Sequence, residues 1–409
     1  MRPERPVLII GGGIAGPALA LFLKRAGFAP SVFEAYPDRA ELGGSLGLAP
    51  NGMNVLDELG LADRVLAAGS PMTRAEFRDV HGRVIGATPD IGSRYGRPGV
   101  TLSRATLHAV IVDAATAAGI PVRYGKRLSD IREDNDGVVA TFADGSRERG
   151  AFLVGADGIN SRVRELILPD GPKPEFTGLV GPGGFVPRSA MPASDDERAL
   201  VLYYGPGIFF GYGYGDNVGE GGAFWWTAIG RDHPLSDAER KAVSLDEVRN
   251  HILDSSNAWD PSVRRILDAT TTFIPPLNIF DVATLPRWSD GRVVLVGDAA
   301  HAASPHSGQG ASIALEDTIV LAKILRDHAG PIEEAFARFE QERRKRVERI
   351  VAFGRRSGDT KKKQGAVTAW LQRLMMPLLI RIVGRMQGSI YNYRVRWDGD
   401  VIEPLKRAA

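Results

Sequence analysis

Val7-Leu8-Ile9-Ile10-Gly11-Gly12-Gly13-Ile14-Ala15-Gly16 is the stretch whose reading decides the fold. Four apolar residues in a row read as a short parallel strand covered on both faces. A G-x-G-x-x-G pattern follows directly, and Ile14 to Ala26 is rich in Ala and Leu up to Gly27, a C-cap for a helix. Ser31-Val32-Phe33-Glu34 supplies a second strand, with Glu34 at its end. This is one βαβ unit. Its glycines allow a tight turn, close approach of a pyrophosphate to the backbone, and close packing of helix on strand. The helix N-terminus adds free N–H groups and a positive dipole. An acidic group at Glu34 accepts hydrogen bonds from both ribose hydroxyls of an adenosine. The turn predicts a dinucleotide site at Gly11, Gly13, Ala15, Gly16 and Glu34 but does not say which dinucleotide.

Working outward, the chain has 409 residues, long enough for two interleaved domains. Its apolar content of 44% supports a sizeable core, and a net charge of +2 gives a nucleic-acid role no support. The absence of cysteine excludes disulfides, thiolate metal sites, CxxC redox pairs and a cysteinyl-linked cofactor. Val7–Ile10 is too short for a signal segment, and no run of eighteen apolar residues predicts a membrane span. The expectation is a soluble, cytoplasmic protein, monomer or homodimer.

A helix is expected from Ser103, as N-cap, to about Ala118. Short strands follow at 122–124, 129–132 and 138–142, and Asp144-Gly145 signals a hairpin leading into 151–154. Residues 175–285 are rich in Gly, Pro and aromatics and predict a largely antiparallel sheet, joined by 70–98. Near Arg292 the first style returns, with a strand at 292–296 and a helix from about Gly310 to Asp327. The basic run Arg343–Arg349 reads as a solvated helix face. Leu371 to Met386 carries apolar residues at helical spacing, divided by Pro377, and predicts a helix packed on the enzyme body or on a partner.

Two later motifs resolve the dinucleotide. Gly155-Ala156-Asp157-Gly158 precedes Ser161-Arg162-Val163-Arg164, and Gly297-Asp298-Ala299-Ala300-His301 leads into Pro305-His306-Ser307-Gly308-Gln309-Gly310. With all three motifs in this order, the chain resembles the class A flavoprotein monooxygenases, the para-hydroxybenzoate hydroxylase family. The resemblance covers roughly residues 5–165 and 285–350.

It implies an α/β fold: a Rossmann-like FAD-binding domain interleaved with a mainly antiparallel β-sheet substrate domain, plus C-terminal helices. The expected FAD-binding domain comprises 1–70, 99–172 and 286–350, the substrate domain 71–98 and 173–285, and the helical tail 351–409. The implied cofactor is non-covalent FAD, with NADPH or NADH and O2 as co-substrates. The implied reaction is hydroxylation of an aromatic or polyketide-like small molecule, of secondary metabolism or catabolism, through a flavin C4a-hydroperoxide.

The resemblance also implies roles. Asp298 would bond a ribityl hydroxyl. Gly308, Gly310 and Ala311 would present N–H groups to the flavin N1–C2 region, where negative charge develops on reduction. Pro305 and Gly308 would shape the flavin face. Asp157 would lie near both cofactor and nicotinamide, Arg104 near the diphosphate or ribityl chain, Gly44 along the flavin and Leu128 beside the adenine. Many relatives carry Asn where Ser312 stands. Of the aromatics, Tyr212, Phe224 and Trp226 are candidates for the substrate pocket.

Rival readings remain open. The Trp-x-Trp-x-Ile-Pro signature of flavin halogenases is absent, since Trp225-Trp226 runs into Thr227-Ala228-Ile229-Gly230. Gly43 to Leu48 loosely resembles tetracycline-inactivating monooxygenases. A flavin-binding sensor or assembly partner without turnover is the reading of another class. His301 and His306 lack an obvious third ligand, so no metal is expected.

Overall fold

The computed structural model describes residues 5–38, 44–88, 94–134, 136–205, 207–215, 222–256, 259–359 and 388–399. Val7–Ile10 is fully buried and lies between two parallel partners, Pro30–Phe33 and Phe152–Gly155. Burial on both faces explains its unbroken apolar run. The six-stranded sheet runs Ser289–Asp290, Val293–Leu295, Phe152–Gly155, Val7–Ile10, Pro30–Phe33, Val122–Arg123. Only the 289–290 pairing is antiparallel. The three glycine motifs and Glu34 therefore follow the carboxyl ends of four adjacent parallel strands. Ligands of open α/β sheets bind at that edge.

Helix Ala15–Arg25 packs beside helix Gly310–Asp327, whose residues 312–325 are all buried. A Cβ on Gly297 would sit 3.1 Å from the Ala314 Cβ and 3.5 Å from the Ala15 Cβ, so the two helices meet over that glycine. Helix Arg104–Ala117 starts at Ser103, whose hydroxyl accepts from the Thr106 N–H at 3.0 Å.

A second sheet has seven strands in the order Thr272–Val282, Pro174–Pro187, Gly222–Gly230, Ile208–Tyr214, Ala199–Gly205, Arg74–Asp79, Val84–Ala87. Its pairings are antiparallel except that of 199–205 with 74–79. One face carries Tyr203, Phe210, Tyr212, Tyr214 and Trp225 under Val248, Ile252, Val263, Ile266 and Leu267 of two helices, Leu245–Asp254 and Pro261–Asp268. The opposite face carries Leu202, Tyr204, Phe209 and Trp226.

Four expectations need correction. The hairpin at Asp144-Gly145 returns through Arg147–Gly150, and Phe152–Gly155 leaves it to join the central sheet. Residues 237–268 form three helices within the region read as sheet. Ser70–Met72 pairs with Gly99–Ser103, which also pairs with Ser45–Leu48, forming a separate small sheet. The run Arg343–Arg349 is no uniformly solvated face: within helix Ile332–Asp359, Arg343, Val347 and Ile350 are buried at helical spacing. Gly43 and the stripe Leu371–Met386 lie outside the described residues. Among the described residues no helix is long and apolar enough to cross a membrane.

Candidate active site

In the first turn the glycines divide by task. A Cβ on Gly16 would lie 2.0 Å from the Gly11 carbonyl oxygen, and one on Gly11, at φ 111°, would lie 2.3 Å from the Ala156 oxygen. Both are demanded by packing. A Cβ on Gly13 would meet nothing within 4 Å, so Gly13 keeps the backbone accessible at the helix N-terminus beside Ala15. The Glu34 carboxylate accepts from the Gly12 N–H at 2.6 Å and the Tyr36 N–H at 2.9 Å, which holds it against this turn. Leu128 begins strand Leu128–Asp134, pairs with Phe142 and is buried in the core.

The second motif abuts the first, since the Ala156 N–H bonds the Ile10 carbonyl at 2.7 Å. Asp157 accepts from the Ser161 hydroxyl at 2.5 Å and the Val163 N–H at 3.0 Å, fastening the start of helix Arg162–Ile167. Burial pushes its carboxyl above the ordinary range, against those bonds. Arg164 ties this motif to the third by donating to the Ala299 carbonyl at 3.0 Å.

In the third motif the Asp298 carboxylate has no hydrogen-bond partner among the described residues. Burial pushes it up, while His301 and Arg104 pull it down. Arg104 is exposed, and its backbone N–H donates to the Gly44 carbonyl at 3.1 Å. That bond sets strand Ser45–Leu48 beside helix Arg104–Ala117. Pro305 and Gly308 are exposed, and Gly308 takes a left-handed conformation at φ 61°. Neither Gly308 nor Gly310 would meet anything within 4 Å of a Cβ, while Ala311 packs partly against the core. The Ser312 hydroxyl accepts from the Ala49 N–H at 3.1 Å and lies where a Cβ on Gly52 would intrude, so Ser312 joins two helices.

These features fit FAD. Two helix N-termini carry glycines with open space before them, and the half-buried Asp298 carboxylate has no donor of its own among the described residues. Phosphates and ribityl hydroxyls supply the complementary chemistry.

On the sheet side, Gly44 and Met72 locate the relevant face. A Cβ on Gly44 would lie 3.9 Å from the Ile274 Cδ1, and Ile274 lies opposite Gly183, which pairs with Trp226. Met72 clusters with Leu200. This face carries Phe224 and Trp226, stacked at 5.5 Å between centroids. Each ring leans over a glycine of the next strand: a Cβ on Gly211 would be 2.6 Å from Trp226, and one on Gly213 2.9 Å from Phe224. Tyr212 is a correction. It pairs with Trp225 on the helix-covered face and is core, because strand neighbours alternate sides.

Sequence reasoning missed a buried network beneath the third motif. Asp317 accepts from the Gly297 N–H at 2.9 Å and from Arg343 at 2.8 Å, and it pairs with His301 at 2.5 Å. Glu316 pairs with Arg343 at 2.7 Å and with Arg346 at 2.7 and 2.8 Å. Burial alone would raise both carboxyls. The guanidiniums around Glu316, and His301 with Arg343 around Asp317, outweigh it and hold both below the ordinary range. Adjacent acids within a mostly apolar helix were the available signal.

Residues 4–354 match the family described as FAD binding domain. The chain is 31% identical over 373 residues to 6-hydroxynicotinate 3-monooxygenase of Bordetella bronchiseptica, covering 86% of this chain and 90% of the relative. Among solved structures it is similar to Klebsiella pneumoniae HpxO complexed with FAD and uric acid, at a TM-score of 0.81 and 28% identity over 95% of this chain and 97% of that one. The tetracycline destructase Tet(55), at a TM-score of 0.68 and 23% identity over 93% and 97%, shares the fold. With strand-end motifs that fit FAD and a family match over most of its length, the chain belongs to the class A flavoprotein monooxygenases and is an FAD-dependent enzyme of the aromatic hydroxylase type.

Proposed function

We propose that this enzyme hydroxylates a small aromatic or polyketide-like molecule in the cytoplasm, with NADPH or NADH as electron donor and O2 as oxidant. The observation that supports this most is the meeting of three glycine motifs at one sheet edge, with Gly44 approaching Ile274 on the Phe224–Trp226 face of the second sheet. Bound FAD supplies the electron transfer and oxygen activation. The chain's own residues bind, orient and exclude water.

In this reading Gly11, Gly13, Ala15 and Gly16 hold the pyrophosphate and Glu34 the adenosine ribose. Backbone near Leu128 borders the adenine. Arg104 and Asp298 hold the diphosphate and ribityl chain, and Gly44 lies along the flavin. Gly308, Gly310 and Ala311 turn N–H groups toward its N1–C2 edge, and Pro305 shapes the adjoining surface. Asp157 acts through backbone geometry, its carboxylate being engaged by Ser161 and Val163. Phe224 and Trp226 form an apolar shelf that holds the aromatic ring in line and dry. The flavin unit is then 1–70, 99–172 and 286–350, and the substrate unit 71–98 and 173–285.

The test is NAD(P)H oxidation and oxygen uptake over phenols, heteroaromatic acids, polyketide rings and tetracyclines, with product mass measured. One ligand should stimulate turnover and gain one oxygen atom. Trp226→Ala should raise its KM roughly two- to tenfold, as expected from losing an aromatic pair of about 0.5–1.5 kcal/mol. Tyr212→Phe should leave KM unchanged. Turnover of tetracyclines alone would favour the antibiotic-inactivating reading. FAD binding with no NAD(P)H oxidation above background, with or without any ligand, would leave a flavin-binding protein without turnover.

A further inference from the structure

The network beneath the flavin loop has a direction. Glu316 is wholly buried and touches two guanidiniums, so it stands as a carboxylate. Asn51, on helix Pro50–Glu58, places its Nδ2 2.6 Å from the Glu316 Oε1. Turning that amide over would set its oxygen against the carboxylate. Chemistry therefore fixes Asn51 with its NH2 toward Glu316.

The second Nδ2 hydrogen points to the Gln309 Oε1 at 3.0 Å. Turning Gln309 over would set NH2 against NH2. Gln309 is thus fixed as well, with its oxygen toward Asn51. Its Nε2 is left without a hydrogen-bond partner among the described residues. Gln309 is the residue immediately before Gly310, at the start of helix Gly310–Asp327. Its own N–H donates to the Ser307 hydroxyl at 3.2 Å, which holds the backbone at this turn.

We propose that Gln309 Nε2 is a further donor to the flavin at this helix N-terminus, and that Asn51 and Glu316 are positioning residues that fix its polarity. The inference rests on the reading that residues 305–310 face the N1–C2 edge of the flavin. Negative charge grows at that edge on reduction, so a donor held there favours the reduced cofactor.

The test is the two-electron potential of FAD in the holoenzyme, measured with reference dyes, for Gln309→Met, Asn51→Leu and the Asn51→Leu/Gln309→Met pair. Gln309→Met is the discriminating change, because it removes the free donor without adding a charge beside the flavin or beside Glu316. Each single variant should shift the preference for reduced flavin at least tenfold, a potential lower by about 30 mV. The pair should shift no further than its larger single. A merely structural role predicts that Gln309→Met lowers stability but stays within twofold of the parent potential, about 9 mV, and that result overturns the proposal. Asp298→Ala serves as the control on FAD affinity. If it weakens FAD binding while the Gln309 variants keep the parent potential, this inference alone fails. If it leaves FAD binding intact, the reading of the site fails first.

Discussion

Gly13→Ala should separate folding from cofactor binding, because the neighbouring glycines cannot. A Cβ on Gly16 would stand 2.0 Å from a backbone oxygen, which no rotamer change relieves. Gly16→Ala therefore forces the turn and helix apart, at a cost of about 1–3 kcal/mol or more. Gly13 has no atom within 4 Å of the added methyl, and its φ is not in the left-handed region. Replacing it should leave the apoprotein as stable as the parent or raise it by about 0.4–1 kcal/mol, through lower entropy of the unfolded chain. The methyl would occupy the space a pyrophosphate needs to reach the N–H groups. Losing one charge-assisted hydrogen bond costs about 1.5–3 kcal/mol, or roughly ten- to 150-fold in Kd. Urea denaturation of the apoprotein and quenching of FAD fluorescence measure the two quantities separately. The reasoning is refuted if Gly13→Ala destabilises the apoprotein as much as Gly16→Ala, or if it binds FAD as tightly as the parent.

Two further outcomes follow from the buried charges. Arg343→Met removes a fully buried guanidinium that bridges Glu316 and Asp317, and should cost about 3–5 kcal/mol in denaturant melts; a loss under about 1 kcal/mol would mean that the acids repartner. Burial raises the Asp298 carboxyl in the folded apoprotein, against His301 and Arg104. The folded chain then holds this proton more tightly than the unfolded one, so stability falls as pH rises from the ordinary value of 3.8 through the folded value. Asp298→Asn should therefore be more stable than the parent at neutral pH, with the advantage vanishing in acid, while binding FAD more weakly. An apoprotein destabilised at pH 7 by this change would contradict the sign.

The βαβ unit was legible because several local constraints agree on it. An apolar run with no alternation, three glycines and a terminal acid permit few other arrangements, and helix Gly310–Asp327 has its expected limits. The helices at 237–268 carried signals of their own: Ser236 and Glu239 form a capping box, Ser244 caps the next helix, and Asp260-Pro261 opens the third. The surrounding aromatic and glycine content outweighed them in the reading.

What stayed out of reach is information that a strand or helix does not hold by itself. Alternation shows that Tyr212 and Trp226 differ in side or agree, once the register of two strands is known; it never says which side the flavin is on. A clue did exist in Gly211-Tyr212-Gly213-Tyr214, where small and large residues alternate. The glycines face a neighbour's rings and the tyrosines face helices. The same limit governs Arg343. Its run of basic residues looks solvated until Glu316 and Asp317, twenty-six and more positions earlier, are brought beneath it. A buried carboxylate pair inside an apolar helix must find cations, since burying it unpaired would cost more than the fold can supply. Their existence could have been deduced from Glu316-Asp317; which arginines answer them is decided by how two helices cross.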